Sequence, residues 1–401
     1  MRSARLGDVA VSMKNGLYKP ATEYGDDGTP CLRMYNIDAG SIVWRDIKRM
    51  RISAAEFEDY RLREGDLLVN RVNSRELVGK AAYVPASLEP SVFESKNIRV
   101  RLDTSKVLPK FINYQLLAGS RRYFAGNAQQ VVGMASISQQ QLADFPIVMA
   151  DLAAQHCIVS ELEKQFSRLD EAVANLQRSA GNLLAYKQAA VREAIWGDRS
   201  AAPAAEDLPP GWSLAALCEL GELGRGKSKH RPRDDPKLYG GPYPFIQTGD
   251  VRRSAGEIRE YTQTYSEFGL QQSRLWPAGT LCITIAANIA ETGILVVPAC
   301  FPDSVVGFVS ADATLVRYVE LFFRTIRANL ERFAPATAQK NINLSILERI
   351  QVPLPPASGR DRIVAEVDRR LSIVREVEAE VRRSMQRASN LRQAALHDAF
   401  N

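Results

Sequence analysis

Histidine and cysteine are scarce in this chain of 401 residues, which holds three of the first and five of the second. Cys31, Cys157, Cys218, Cys282 and Cys300 lie far apart, and no two have C-x-x-C spacing. Neither a disulfide framework nor a zinc site is expected. No run of eighteen apolar residues occurs, so no membrane-spanning helix is expected. Met1-Arg2-Ser3-Ala4-Arg5-Leu6 lacks the apolar stretch of a secretory signal. These absences point to a cytoplasmic protein.

Catalytic signatures are missing as well. Methyl transfer to a base normally needs an Asp/Asn-Pro-Pro-aromatic loop around the flipped nucleotide. The two Pro-Pro pairs read Leu208-Pro209-Pro210-Gly211 and Leu354-Pro355-Pro356-Ala357, without the amide or acid and without the ring. A magnesium nuclease needs clustered carboxylates and a lysine; after Pro302-Asp303 comes Glu320-Leu321-Phe322, with phenylalanine in the lysine position. Three dispersed histidines give no Ser/His/Asp set. Gly221-Glu222-Leu223-Gly224-Arg225-Gly226-Lys227-Ser228 fits the P-loop pattern, but a P-loop must open a helix. Lys229-His230-Arg231-Pro232-Arg233-Asp234-Asp235-Pro236 follows, with two prolines and no apolar stripe, so nucleotide binding is not expected. A basic turn against DNA phosphate is the better use. The chain reads as non-catalytic.

What is present is a repeat with a period near 205 residues, too long for a solenoid. Ile158-Val159 with Glu161-Leu162 returns as Ile363-Val364 with Glu366-Val367. Gln188-Ala189-Ala190-Val191 returns as Gln393-Ala394-Ala395-Leu396 at the same offset, so two helices have equal length. Each follows a short apolar run closed by proline, Phe145-Pro146-Ile147-Val148 and Val352-Pro353-Leu354-Pro355. The domain starts rhyme too, Leu6-Gly7-Asp8-Val9 with Leu217-Cys218-Glu219-Leu220. Elsewhere the globular halves share little.

In the first helix Val159, Leu162, Phe166, Leu169, Val173, Leu176, Ala180 and Leu183 are spaced 3-4-3-4-3-4-3, a heptad seam. In the second, Val367, Val374, Val381, Ala388 and Ala395 form a seven-residue row, flanked by Ile363, Val377 and Leu391. Each helix of about 40 residues would be ~60 Å long. Two equal seams separated by a domain can pair with each other, most simply antiparallel.

The expected fold is therefore mixed α/β: two copies of a domain, joined and spaced by two long helices forming an antiparallel coiled coil. The first domain takes 1–150, its helix 151–199, an Ala/Pro-rich linker 200–211, the second domain 212–355 and its helix 356–401. The basic excess is uneven: Lys and Arg outnumber Asp and Glu 21 to 16 over 1–150 but only equal them, 16 to 16, over 201–355. Loops hold the candidate DNA contacts, because Arg, Asn and Gln make paired hydrogen bonds to guanine or adenine edges and Lys and Arg suit phosphates. In the first domain these are Arg33, Tyr35, Asn36, Asn70, Arg71, Asn73, Arg75, Gln129 and Gln130. In the second they are Arg225, Lys227, Lys229, Arg231, Gln247, Thr248, Arg252, Asn288, Gln339, Lys340 and Asn341.

These features in this order resemble the specificity subunits of type I restriction–modification systems over nearly the whole chain. The resemblance rests on Leu6-Gly7-Asp8-Val9, Gly224-Arg225-Gly226-Lys227-Ser228 and Gln339-Lys340-Asn341-Ile342 before Val352-Pro353-Leu354-Pro355. It also rests on the duplicated helix opening Gln155-His156-Cys157-Ile158-Val159. The first domain departs from it, with Met134-Ala135-Ser136-Ile137 where the second has Gln339-Lys340-Asn341-Ile342. The resemblance implies that each domain is a target-recognition domain for one half of a split, asymmetric double-stranded DNA site, with the helices as a ruler between halves. It also implies docking of two modification subunits that bind S-adenosylmethionine, and of restriction subunits that use ATP and Mg. The whole would be a DNA adenine methyltransferase and restriction endonuclease. Two other readings stay open: a coiled-coil scaffold without DNA binding, and a DNA enzyme in its own right.

Overall fold

The computed structural model describes residues 2–127, 129–131, 134–197, 208–286, 289–333 and 342–400. It forms two compact units, Met1–Leu176 with Arg383–Asn401 and Gln177–Arg382, so each unit takes part of both long helices.

In the first unit the core strand is Leu67–Asn70, buried along its whole length as a continuous apolar run should be. Asn97–Leu102 and Ala81–Tyr83 flank it antiparallel; Ala10–Asn15 lies outside the former and Gly40–Ile42 pairs parallel with the latter. The helix Pro109–Asn127 opens on proline, whose missing N–H costs nothing in a first turn, and packs Phe111, Ile112, Leu116 and Phe124 into the core. Arg2–Arg5 pairs antiparallel with Pro146–Met149, so the strand that enters the domain lies beside the strand that leaves it.

The second unit repeats this plan. Its five-stranded sheet runs Glu222–Arg225, Val305–Val309, Leu281–Thr284, Thr292–Leu295, Glu257–Ile258, and again the fourth and fifth strands pair parallel; the first sheet adds a sixth strand, Ile37–Asp38, antiparallel to its fifth. Ala313–Phe333 is the corresponding helix, with Val316, Val319, Phe322 and Phe323 in the core. Ser213–Ala216 pairs with Gln351–Leu354 as the incoming and outgoing strands. Small hydrogen bonds recur where the letters do not. The Leu6 amide donates to Phe145 O at 2.9 Å and the Leu217 amide to Ile350 O at 3.0 Å. Asp8 accepts the Arg5 amide, and Glu219 the Ala216 amide.

The long helices are Leu152–Trp196 and Ala357–Phe400. Gln155, in the first turn of the former, is fully buried: it accepts the Leu108 amide at 2.8 Å and donates to the carbonyls of Lys106 and Ala150. Arg360 stands 205 residues later and reaches Asp312 at 2.6 Å, again just ahead of the globular domain's helix.

Within each unit the two helices run antiparallel. In the first, Leu162 and Phe166 pack with Leu396, and Arg392 lies over the Phe166 ring and pairs with Asp170 at 3.0 Å. In the second, Val191, Ile195 and Trp196 share a core with Val364, Val367 and Leu371, while Lys187 pairs with Glu378 at 2.8 Å and Glu193 with Arg370 at 3.1 Å. Val159, Leu162, Phe166, Val367, Val374 and Val381 are buried; Leu169, Val173, Leu176, Leu183 and Ile363 are half-buried. Two expected seam residues are not there: Val377 is 42% and Leu391 59% exposed. The second helix's inward row is 364, 367, 371, 374, 378, 381, 385, 388, 392, 395 and 396, and Glu378 and Arg392 occupy positions that an apolar count gives to their neighbours.

Candidate nucleic-acid interface

In each domain a tightly constrained loop follows the outer strand of the sheet. After Ala10–Asn15 the chain crosses the neighbouring backbone at Gly16, where a Cβ would collide with the carbonyl oxygens of Phe93 and Glu94. After Glu222–Arg225 it does the same at Gly226, against the carbonyls of Phe301 and Pro302. Gly221 likewise has no room for a Cβ beside Val309 O. Both P-loop-like glycines are thus required by strand packing, and a β-strand occupies the segment between them.

That crossing presents the basic turn of the second domain. Lys227 and Lys229 are exposed, and among the described residues neither has an ion-pair partner. Arg225 donates twice to Asp303 O, at 3.0 and 2.7 Å, and Arg231 donates to the carbonyls of Ser228 and His230. Arg233, which the loop reading left out, pairs with the Asp303 carboxylate at 3.2 Å. Asp235 accepts the Lys237 amide and contacts His230, and these bonds hold its carboxyl below the usual range. Arginine shapes the turn, then, and the two lysines face outward.

The next turn is Arg33–Asn36 in the first domain and Gln247–Asp250 in the second. Each closes in the same way: Asn36 Oδ1 accepts the Arg33 amide and Asp250 Oδ2 the Gln247 amide, both at 2.9 Å. Asn36 is buried and donates to Val43 O and Arg45 O, so it holds the turn and has no free edge for a base. Tyr35 points into solvent, with the Arg33 guanidinium 5.6 Å from its ring centre. Gln247 bonds to Gln263, Thr248 is half-buried, and Arg252 is exposed near Glu291. Beneath Arg33, the Tyr24 hydroxyl is pushed up to about 12, by burial first and then by Cys31 and Glu94.

Asn70 and Asn73 are likewise bonded within the domain. The Asn73 amide donates to Asn70 Oδ1 at 2.6 Å, Asn70 donates to Asn97 Oδ1 at 3.0 Å, and Asn97 to Leu32 O at 3.3 Å. All three are buried, forming a chain of amides that stitches strands together. Of that loop, Arg75 is exposed and bonds to Ala125 O, while Arg71 is half-buried and only grazes Ile137 O at 3.5 Å. Gln129 and Gln130 sit on a strand paired with Ser136 and Ala135. Asn288, Gln339, Lys340 and Asn341 lie outside the described residues.

Sequence reasoning passed over Tyr18 and Trp44, both exposed beside the Arg33–Asn36 turn, because isolated aromatics carry no periodic signal. Among the described residues no group of three or more His, Cys, Asp or Glu is placed to hold a metal, and no helix is long and apolar enough to cross a membrane.

Residues 209–378 match the family model described as the type I restriction modification DNA specificity domain. The chain is 28% identical over 223 residues to the StySPI type I restriction enzyme specificity subunit of Salmonella potsdam, across 54% of this chain and 48% of that one. It is 21% identical over 420 residues to the EcoBI specificity subunit of Escherichia coli, across 98% of this chain and 84% of the other. The first of these alignments therefore spans about half the relative's length. Among solved structures, a chain from a study of complex assembly and conformational transition in the type I R-M system has a TM-score of 0.75 at 18% identity, covering 100% of this chain and 97% of its own. The HsdS subunit from Thermoanaerobacter tengcongensis has a TM-score of 0.54 at 18% identity, covering 100% and 96%. These two share the fold.

Proposed function

We infer, from the match of residues 209–378 to the type I restriction modification DNA specificity domain, a subunit that reads DNA sequence for its partners. One observation carries the reading. The two domains share strand order, pairing sense and closing hydrogen bonds, yet present unlike side chains on equivalent turns. Such a pair suits an asymmetric, bipartite double-stranded target with one half read per domain. The long helices act as the spacer between half-sites, because the gap recognised follows from how far apart two readers are held.

The chain supplies recognition and no chemistry of its own. Two modification subunits dock on the helical region and bring S-adenosylmethionine for adenine methylation. Restriction subunits add ATP- and Mg-dependent cleavage. The assembly works in the cytoplasm.

Mapping methylated adenines in host DNA with and without this gene tests the reading. A split motif that disappears on deletion is the expected result, and an unchanged methylation map overturns it. Removing one heptad from both helices should shorten the spacer of that motif; an unaltered spacer refutes the ruler.

A further inference from the structure

Three segments of the first domain are tied together around Asn36. Its amide reaches the carbonyls of Val43 and Arg45 at 3.1 and 2.8 Å, and Arg33 donates to Asp46 O at 3.0 Å. The Met34 amide donates to Glu94 at 2.9 Å, and Leu17 is bridged to Glu94 as well. What this framework holds outward is aromatic. Tyr18 is 83%, Tyr35 67% and Trp44 46% exposed, and the two tyrosines are the most exposed aromatic side chains among the described residues. No hydrogen bond of the described residues engages either hydroxyl or the Trp44 indole N–H. Large rings held in water on fixed turns mark a surface that a flat partner covers.

Among the described residues of the second domain the most exposed aromatic side chains are Tyr261 at 41% and Phe268 at 37%. Counting from the paired glycines, Ser228 stands where Tyr18 does; counting from the paired turn caps, Gly249 stands where Tyr35 does. There the exposed groups are Lys227 and Lys229.

Building on the DNA-reading role above, we propose that Tyr18, Tyr35 and Trp44 stack on base faces at an unstacked or kinked step of the first half-site. The second domain instead grips phosphate. Bases are the favoured occupant because the Arg33 guanidinium lies over the Tyr35 ring, the exposed Arg45 follows Trp44 in the chain, the surrounding domain carries the chain's basic excess, and every base offers a π face. A side chain wedged between base pairs also bends the duplex, so the first half-site is recognised partly by its deformability.

The test uses the full chain with its modification subunits and a labelled duplex carrying the mapped motif. Tyr18→Ala, Tyr35→Ala and Trp44→Ala should each weaken binding about tenfold or more. The slope of log K against log salt should stay unchanged, since stacking releases no counterions. Tyr35→Phe should retain wild-type binding, and 2-aminopurine in the first half-site should brighten on binding in a Tyr35-dependent way. Alanine variants that bind like wild type, or lose affinity through a shallower salt slope, overturn the proposal while leaving DNA reading intact. A wild-type complex that binds no duplex sinks both.

Discussion

Gln155 Oε1 accepts the backbone amide of Leu108 at 2.8 Å, fastening the first turn of a long helix to a loop 47 residues earlier in the chain. With its two donated bonds, the side chain satisfies three backbone groups in a fully buried place. Gln155→Ala leaves them without partners and should cost about 3 kcal/mol of stability. Urea unfolding of the purified chain measures it, and a loss below about 0.5 kcal/mol would refute the latch.

Lys187 and Glu378 sit in the helix seam, each about three-quarters covered. Glu378→Ala leaves the ammonium half-buried beside apolar neighbours and should lower stability by about 1 kcal/mol, a modest figure because water still reaches the pair. Replacing both with leucine should restore or exceed wild-type stability. Thermal melts of the single and double variants decide it; a double variant weaker than the single contradicts the argument.

For the basic turn, Lys227→Ala with Lys229→Ala should weaken binding to any duplex and reduce the log K against log salt slope by about 2. Arg225→Ala is the contrast, since that guanidinium already serves Asp303 O; its slope should barely change. Titrations at several salt concentrations separate the two outcomes, and equal slopes for all variants remove the phosphate role.

Thiol chemistry offers a check on packing. Cys157 and Cys218 are exposed, whereas Cys31, Cys282 and Cys300 are buried. Burial pushes the Cys31 thiol up to about 12 and raises those of Cys282 and Cys300 as well. A raised pKa keeps the unreactive neutral form as pH climbs. Two thiols should therefore react quickly with Ellman's reagent between pH 7 and pH 9, and all five after unfolding in guanidinium; a third fast thiol in the native protein contradicts the packing.

The repeat and both helices were legible because apolar spacing and a constant offset survive divergence. Val377 and Leu391 were misplaced because charged residues hold two inward positions: Glu378 meets Lys187, and Arg392 meets Asp170 and Phe166. That Asn36, Asn70 and Asn73 bond within the domain was not legible, because an amide that caps a turn or crosses a sheet has the same letter as one that pairs with adenine. The kinship of Gly16 and Gly226 was invisible, since one shared glycine in two unlike loops is no pattern until both are seen against a neighbour's carbonyls. Tyr18 and Trp44 escaped because two isolated aromatics carry no periodic signal, and only their exposure singles them out.

The side-by-side pairing of Arg2 with Met149, and of Ser213 with Leu354, gives each domain a single seam at which the chain both enters and leaves. A foreign cassette of different length or sequence can be spliced between those two points with the helix register untouched. The fold thus allows one domain to be exchanged in a single step while the other domain and both helices stay as they are.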